Sequence, residues 1–271
     1  MQLATTTISA KRSRRRSDSI RHRSDRFYWG NRIIPYHLLK LYDSELIAAR
    51  QLNRAVPDNW EGMAYEGRAL AALGRVDELR PLLDRMEGVA FNTDQVGTPT
   101  GWMRHIGREL YVHGHAAEAR LVFERVLTWF RSHSTPADPG MQEEFARALY
   151  DAGRWDEAWD AAQRALRADT TSMAVRTLLG TIAARRGDRR TVDRIDGWLE
   201  RLTGLYLHGD NTYERARLAA ILGERVHADA LLKQALDEGY AVSSGVGPHD
   251  DPDFDSIRDM AAYTLLYRDK P

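Results

Sequence analysis

The fold is decided by a sequence motif that is clearest where the chain reads IGRELYVHGHAAEARLVFERV, residues 106–126. A small residue is followed after seven positions by a glycine, after five more by a small or apolar residue, and after seven more by another. Here these positions hold Gly107, Gly114, Ala119 and Val126. The other copies are Gly67, Gly74, Leu79, Met86; Ala146, Gly153, Ala158, Ala165; Gly180, Gly187, Val192, Leu199; and Ala216, Gly223, Ala228, Ala235. Five copies in one chain indicate an internal repeat.

The spacing within each copy predicts two short helices joined by a tight turn. Met141–Asp151 and Trp155–Ala168 both carry apolar residues at helical intervals, and each is long enough for three turns. Gly153 lies between them, and glycine ends a helix in the left-handed conformation without steric cost. The small residues let the two helices approach closely. Because one such hairpin cannot bury both of its faces, successive hairpins are expected to stack.

This pattern resembles the tetratricopeptide repeat (TPR), a helix–turn–helix unit of about 34 residues. The resemblance is carried best by Ile106, Gly107 and Leu110 before Gly114, followed by Ala119 and Phe123. It implies an all-α fold, a right-handed α-α superhelix (a TPR-like solenoid) of about five or six helical hairpins plus a C-terminal capping helix. The repeats are clear over residues 60–238, and residues 33–56 are predicted to form one further hairpin.

Charged residues are distributed unevenly along the chain. Residues 1–26 carry eight basic and two acidic side chains, a net +6, so the remaining residues carry −6. This segment has few large apolar side chains and is predicted to be disordered. Residues 27–241 are predicted to form the repeat domain, and 242–271 a loop with the capping helix. The mildly acidic body argues against a nucleic-acid partner, and apolar runs of only five residues argue against a membrane. A cytoplasmic location is expected.

The tail does not follow the repeat motif and reads GPHDDPDFDSIRD over residues 247–259. Asp255 is a suitable N-cap for a last helix predicted over Ser256–Tyr267. The tail resembles the segment that closes repeat regions in bacterial regulators fused to adenylate-cyclase-type or Ser/Thr-kinase-type domains. The resemblance implies that this segment caps the exposed end of the stack.

A candidate partner-binding groove follows from aligning the repeats on their turn glycines. The position after the first small residue is arginine in four of the five copies, and in the TPR family it faces the concave groove. The candidate groove residues are Arg68, Arg104, Arg108, Tyr111, Arg147, Tyr150, Tyr213 and Arg217. Guanidinium groups pair with carboxylates in a bidentate manner, so an acidic peptide is the candidate ligand. Alternatively, the arginines lie on solvated helix faces and pair with neighbours, as Glu143 could with Arg147.

No metal site, cofactor or catalytic centre is predicted. The absence of cysteine excludes thiolate zinc sites, iron–sulfur clusters and a cysteine nucleophile. The nearby histidines, His105, His113 and His115, are interpreted as turn and surface residues. The aspartates of the tail, Asp251, Asp253 and Asp255, lack the glycine and closing glutamate of a calcium loop. No phosphate-binding glycine loop, HExxH or GxSxG motif is present.

The expected function is therefore that of a non-catalytic scaffold, which binds a protein or peptide partner in its concave groove. Replacing Arg108 and Arg147 together by Glu is expected to abolish capture of an acidic partner and to leave helicity unchanged. Three alternatives remain open. The basic arm could bind nucleic acid, the chain could be a fragment of a multidomain bacterial regulator, or the groove could hold a degenerate enzyme site.

Overall fold

A computed structural model describes residues 29–89, 98–133, 139–204, 207–240 and 247–266. The expectations for the basic segment 1–26, its disorder and its nucleic-acid binding, lie outside the described residues. Within them, every regular element is an α-helix or a short 3-10 helix. None of the described helices has both the length and the apolar character needed to cross a bilayer.

The described helices form six antiparallel hairpins, which confirms the predicted all-α TPR-like solenoid. The first helix is described over residues 29–38 and is called α1. The hairpins pair α1 with α2 (Tyr42–Ala55), α3 (Trp60–Ala72) with α4 (Val76–Gly88), α5 (Pro99–Val112) with α6 (Ala116–Ser132), α7 (Pro139–Asp151) with α8 (Trp155–Ala168), α9 (Met173–Arg185) with α10 (Arg189–Glu200), and α11 (Asp210–Ile221) with α12 (Arg225–Asp237). Hairpins 2 to 6 correspond to the five copies of the motif.

The turn glycines adopt the backbone conformation predicted for them. The φ angles of the five glycines, from Gly74 to Gly223, are all positive and lie between 66° and 89°. In the first copy Gly74 N–H donates to Ala71 O at 3.1 Å and Arg75 N–H to Leu70 O at 2.9 Å. This pair of bonds is the Schellman motif, and the other four copies repeat it. A side chain other than glycine would strain the backbone here.

The small residues of the repeat mark close helix approaches. A Cβ on Gly107 would overlap the ring of Phe123 on the partner helix α6. A Cβ on Gly67 would overlap the side chain of Ile106, which belongs to the next hairpin. Gly67 and Gly107 both hold the first position of the motif, so this position controls packing both within a hairpin and between hairpins. Trp60, Ile106 and Phe130, all fully buried, belong to a single apolar core that extends from α2 to α9.

The end of the chain differs from its predicted form. Two 3-10 helices, η1 (Pro248–Asp250) and η2 (Pro252–Ile257), precede a short helix α13 (Ala261–Leu266). Asp255 does not cap α13, because that helix begins only at Ala261; the Asp255 carboxylate accepts a hydrogen bond from Arg258 at 2.8 Å. Asp229 of α12 accepts from Ala262 N–H at 2.8 Å instead. The predicted helix over Ser256–Tyr267 was therefore wrong in its start, and Tyr267 lies outside the described residues.

Candidate functional site: a groove that holds the chain's own tail

Residues 247–257, called the tail segment below, lie across the first helices of the hairpins. η1 packs on α5, and η2 packs on α11 and α12. The tail segment therefore does more than cap the end of the stack as predicted, because it crosses back over the inner face of the earlier repeats. The inner face that receives it, called the groove, is formed around Arg108, Tyr150, Arg185, Tyr213 and Arg217.

Asp253 of the tail segment accepts two side-chain hydrogen bonds from the inner face of the repeats. Tyr150 O–H donates to Asp253 Oδ1 at 2.5 Å, and Arg185 Nη2 donates to the same oxygen at 2.6 Å. Asp253 Oδ2 lies 3.9 Å from Arg217 Nε. Burial, together with the Asp253 charge, raises the pKa of Tyr150 well above 10, so its hydroxyl stays protonated and able to donate.

Asp251 faces two guanidinium groups at longer range. Its carboxylate is 4.0 Å from Arg108 Nη1 and 3.6 Å from Arg217 Nη1. Burial and the adjacent Asp253 carboxylate raise the pKa of Asp251 to about 6, and the two arginines lower it only in part. The tail segment thus brings two mutually repelling carboxylates into one cationic region of the groove.

Apolar residues anchor the tail segment beside the polar contacts. Phe254 and Ile257 are fully buried and pack against α11 and α12. The ring of Phe254 lies 5.3 Å from that of Tyr213, which is itself stacked on Tyr240 at 4.1 Å. Ser256 O–H donates to Ala220 O at 2.8 Å and so holds the chain just after Phe254 against α11. The groove therefore holds an acidic stretch of the chain's own tail that includes a buried aromatic residue.

Two of the predicted groove arginines are held by a carboxylate that the sequence analysis did not single out. Asp151, the last residue of α7, accepts from Arg104 Nε at 2.7 Å and from Arg108 Nη2 at 2.9 Å. Burial raises the pKa of Asp151, but the two guanidinium groups outweigh it, and the pKa lies below 3.8. The position of Asp151 two residues before a turn glycine is the sequence signal that could have indicated this role.

The other predicted residues have separate environments. Arg68 is buried and donates to Glu45 at 2.8 Å, in the first hairpin. Arg147 donates to Glu143 at 2.9 Å, the local pair that was left open as an alternative. Tyr111 is 41% exposed and lines a small cavity that Asp251, Pro252 and Asp253 of the tail segment also border. Thus the structure brings Arg108, Tyr150, Tyr213 and Arg217 together around the tail segment, with Tyr111 beside them, and it leaves Arg68, Arg104 and Arg147 outside these contacts.

Four of the candidate arginines do not lie on solvated helix faces, which was the alternative to the groove. Arg68, Arg104, Arg108 and Arg217 are all less than 9% exposed, and each is paired within the chain. Arg108→Glu would place a carboxylate against Asp151 and Asp251, which costs folding free energy. Replacing Arg108 and Arg147 together by Glu is therefore expected to lower stability and helicity, so it cannot report on binding alone.

The three histidines weighed for metal binding do not converge. His105 Nδ1 is 3.7 Å from Asp250, His113 Nε2 is 2.9 Å from Glu109 on the same helix, and His115 lies beside Gly74. A different set does converge within the described residues, because potential ligand atoms of His37, Glu109 and His249 all lie within 4.8 Å of one another.

Comparison with known proteins finds similarity to solved structures only, and that similarity is weak. No protein-family model matches the chain, and no curated protein matches it. Among solved structures, the chain is similar to the nearly identical TPR-like repeats of a putative kinesin light chain from Podosopora anserina, at 16% identity and a TM-score of 0.37. That match covers 65% of this chain and 92% of the other. A single-residue variant of the same protein matches at 17% identity and a TM-score of 0.38. The assignment of a TPR-like fold rests on the hairpins and turns described above.

Proposed function

We propose that this protein is a non-catalytic interaction module whose groove binds an acidic peptide segment of a partner protein. One observation carries the proposal: the groove already holds a segment of this chemistry, the chain's own residues 247–257. The tail segment then acts as an intramolecular ligand that a partner segment replaces. The partner segment is expected to carry two carboxylates and, after them, an aromatic residue.

The chemistry of the groove fits such a ligand. Arg185 and Tyr150 provide donors for one carboxylate, and charge-assisted hydrogen bonds of this kind are stronger than neutral ones. The cleft that holds Phe254 provides an apolar anchor next to them. A few buried anchors of this type carry most of the affinity in protein recognition, whereas contact area alone does not.

The docked tail segment satisfies the groove incompletely, which favours exchange. Among the described residues, neither Asp253 Oδ2 nor Arg217 Nε has a hydrogen-bond partner, although both atoms are buried. Asp251 is beyond hydrogen-bond distance from both of its arginines. A partner whose second carboxylate reaches Arg217 would therefore gain a charge-assisted bond that the tail segment does not make.

The test uses a fluorescent peptide that copies residues 247–258, with binding followed by anisotropy. In the full chain, Phe254→Ala removes the tail's own anchor and leaves every groove residue intact. This variant is expected to bind the peptide more tightly than the wild type does. Val226→Ala, at a position that is 79% exposed, is the matched control and should behave as the wild type.

A second peptide, with Asp251 and Asp253 replaced by Asn, reports on the carboxylates. It is expected to bind Phe254→Ala much more weakly than the acidic peptide. Equal binding of the two peptides, or no binding by a variant with native helicity, would reject the groove as an acidic-peptide site. If Phe254→Ala fails to fold, full-chain Asp253→Asn serves as the loosened variant in the same titration.

A further inference from the structure

Three side chains from distant parts of the chain, one of them in the tail segment, form a compact polar cluster apart from the contacts of Asp251, Asp253 and Phe254. His37 lies near the end of α1, Glu109 on α5 and His249 in η1. His37 Nε2 is 2.9 Å from His249 Nε2 and 3.6 Å from Glu109 Oε1. Two imidazoles and one carboxylate are the ligand types that hold zinc in proteins when cysteine is absent.

His37 is oriented as metal-binding histidines are. Its Nδ1–H donates to Glu45 Oε2 at 2.8 Å, and the other oxygen of Glu45 accepts from Arg68 at 2.8 Å. This bond assigns the proton to Nδ1, so the lone pair of Nε2 points toward Glu109 and His249. A carboxylate behind the ligand histidine is the usual outer partner in zinc sites, where it fixes the ring and raises its basicity.

In Glu109, one carboxylate oxygen faces the histidines and the other has no partner among the described residues. The residue is fully buried, and its Oε1 is 2.9 Å from His113 Nε2. Its Oε2 is buried and has no hydrogen-bond partner among the described residues. Leaving a buried carboxylate oxygen unsatisfied is costly, so such atoms usually face a ligand, a water or an ion.

The cluster is also accessible. A cavity of about 380 Å³ opens beside it, and its lining includes His37, Tyr42, His113, His249 and Tyr263. An ion could reach the two histidines through this cavity, and a water or His113 could occupy a fourth coordination position. Tetrahedral zinc with bonds of about 2.0–2.1 Å separates its ligand atoms by roughly 3.3 Å. His37 Nε2 is 2.9 Å from His249 Nε2 and 3.6 Å from Glu109 Oε1, so the two spacings lie on either side of that value.

We infer that His37, Glu109 and His249 form a binding site for a divalent transition metal of the zinc class. The two imidazoles favour zinc over magnesium or calcium, which prefer oxygen ligands. The site goes beyond the proposed peptide recognition and does not depend on it. Because His249 belongs to the tail segment, a bound ion would link that segment to α1 and α5 and would stabilise the docked tail by mass action.

The experiment titrates the metal-free full chain with Zn²⁺ by calorimetry. One equivalent is expected to bind to the wild type, and the melting temperature is expected to rise with it. His249→Ala and Glu109→Gln should lose this stoichiometric binding and the thermal shift. His227→Ala, at an exposed histidine on α12, is the matched control and should bind as the wild type does.

Visible absorption of the Co²⁺-loaded wild type gives a readout that does not depend on how the variants fold. Absorption typical of four- or five-coordinate cobalt, displaced by one equivalent of Zn²⁺, is the expected result. An octahedral aqua-ion spectrum, or Zn²⁺ binding that survives in a folded His249→Ala, would overturn the assignment. A chain that binds Zn²⁺ but no acidic peptide would reject only the proposed function.

Discussion

Tyr150 donates a 2.5 Å hydrogen bond to Asp253, a residue 103 positions further along the chain. Arg185 donates to both groups, to the Tyr150 hydroxyl oxygen at 3.2 Å and to the Asp253 carboxylate at 2.6 Å. This three-residue contact joins α7, α9 and the tail segment. Since the contact is buried or half-buried, each member depends on the other two for its hydrogen bonds.

Tyr150→Phe is expected to destabilise the protein by about 1–3 kcal/mol, because it removes a donor from a buried carboxylate. Amide hydrogen exchange in residues 247–257 should quicken more than exchange in the hairpins. Tyr111→Phe removes the same hydroxyl from a ring that is 41% exposed and should change neither quantity. Equal exchange of the tail segment in the wild type and Tyr150→Phe would contradict a role for this bond in holding the tail.

Asp151→Asn is expected to cost about 3–5 kcal/mol of unfolding free energy in urea titration. The replacement leaves Arg104 and Arg108 buried without the carboxylate that both of them contact, and breaking a buried pair from one side is costly. Asp160→Asn on the exposed face of α8 is the matched control and should lie within about 0.5 kcal/mol of the wild type. A loss below that limit in Asp151→Asn would show that the pair contributes little.

The same pair predicts a specific acid dependence. The folded-state pKa of Asp151 lies below 3.8, so the folded chain binds this proton more weakly than the unfolded chain does. Its contribution to stability is therefore complete above about pH 4 and is lost as the pH falls through the lowered pKa. The stability difference between wild type and Asp151→Asn should be constant from about pH 5 to 7 and should shrink in more acidic solution. A difference that grows on acidification would have the wrong sign.

Two helical glycines should respond oppositely to replacement by alanine. Gly107→Ala is expected to destabilise by about 1–3 kcal/mol, because the new methyl group overlaps the buried Phe123 ring. Gly197→Ala in α10 meets only the flexible end of Arg201 at 3.4 Å and should stabilise by about 0.4–1 kcal/mol. Thermal melting of the two variants decides the point. Shifts of the same sign would show that Gly107, the first small residue of its motif copy, does not control helix approach.

Local spacing was sufficient to predict the repeat architecture. Gly74 and its four equivalents require a left-handed turn, and apolar residues at helical intervals define the helices on either side. Both signals act within one hairpin, so they can be read from consecutive residues. The helix predicted after Asp255 failed because its actual cap, Asp229, comes from another hairpin. Only packing of α13 on α12 brings that carboxylate to Ala262.

The groove was predicted in part. Arg108, Tyr150 and Arg217 were selected from their repeat positions, but their buried state and the tail segment between them were not anticipated. The acidic run from Asp250 to Asp255, which contains no lysine or arginine, was the available signal. Its charge complements the arginines, yet charge complementarity alone does not specify which segment of a chain folds back.

The sequence by itself therefore determined the paired helices, their turns and their stacking, because those features depend on contacts between residues near one another in the chain. The tertiary structure alone decided what faces the arginines and which histidines meet. His37 and His249 are separated by 212 positions, and the bond between Tyr150 and Asp253 spans 103. Such contacts arise because the tail segment folds back across the stacked hairpins, and no pattern of neighbouring residues specifies where it lies.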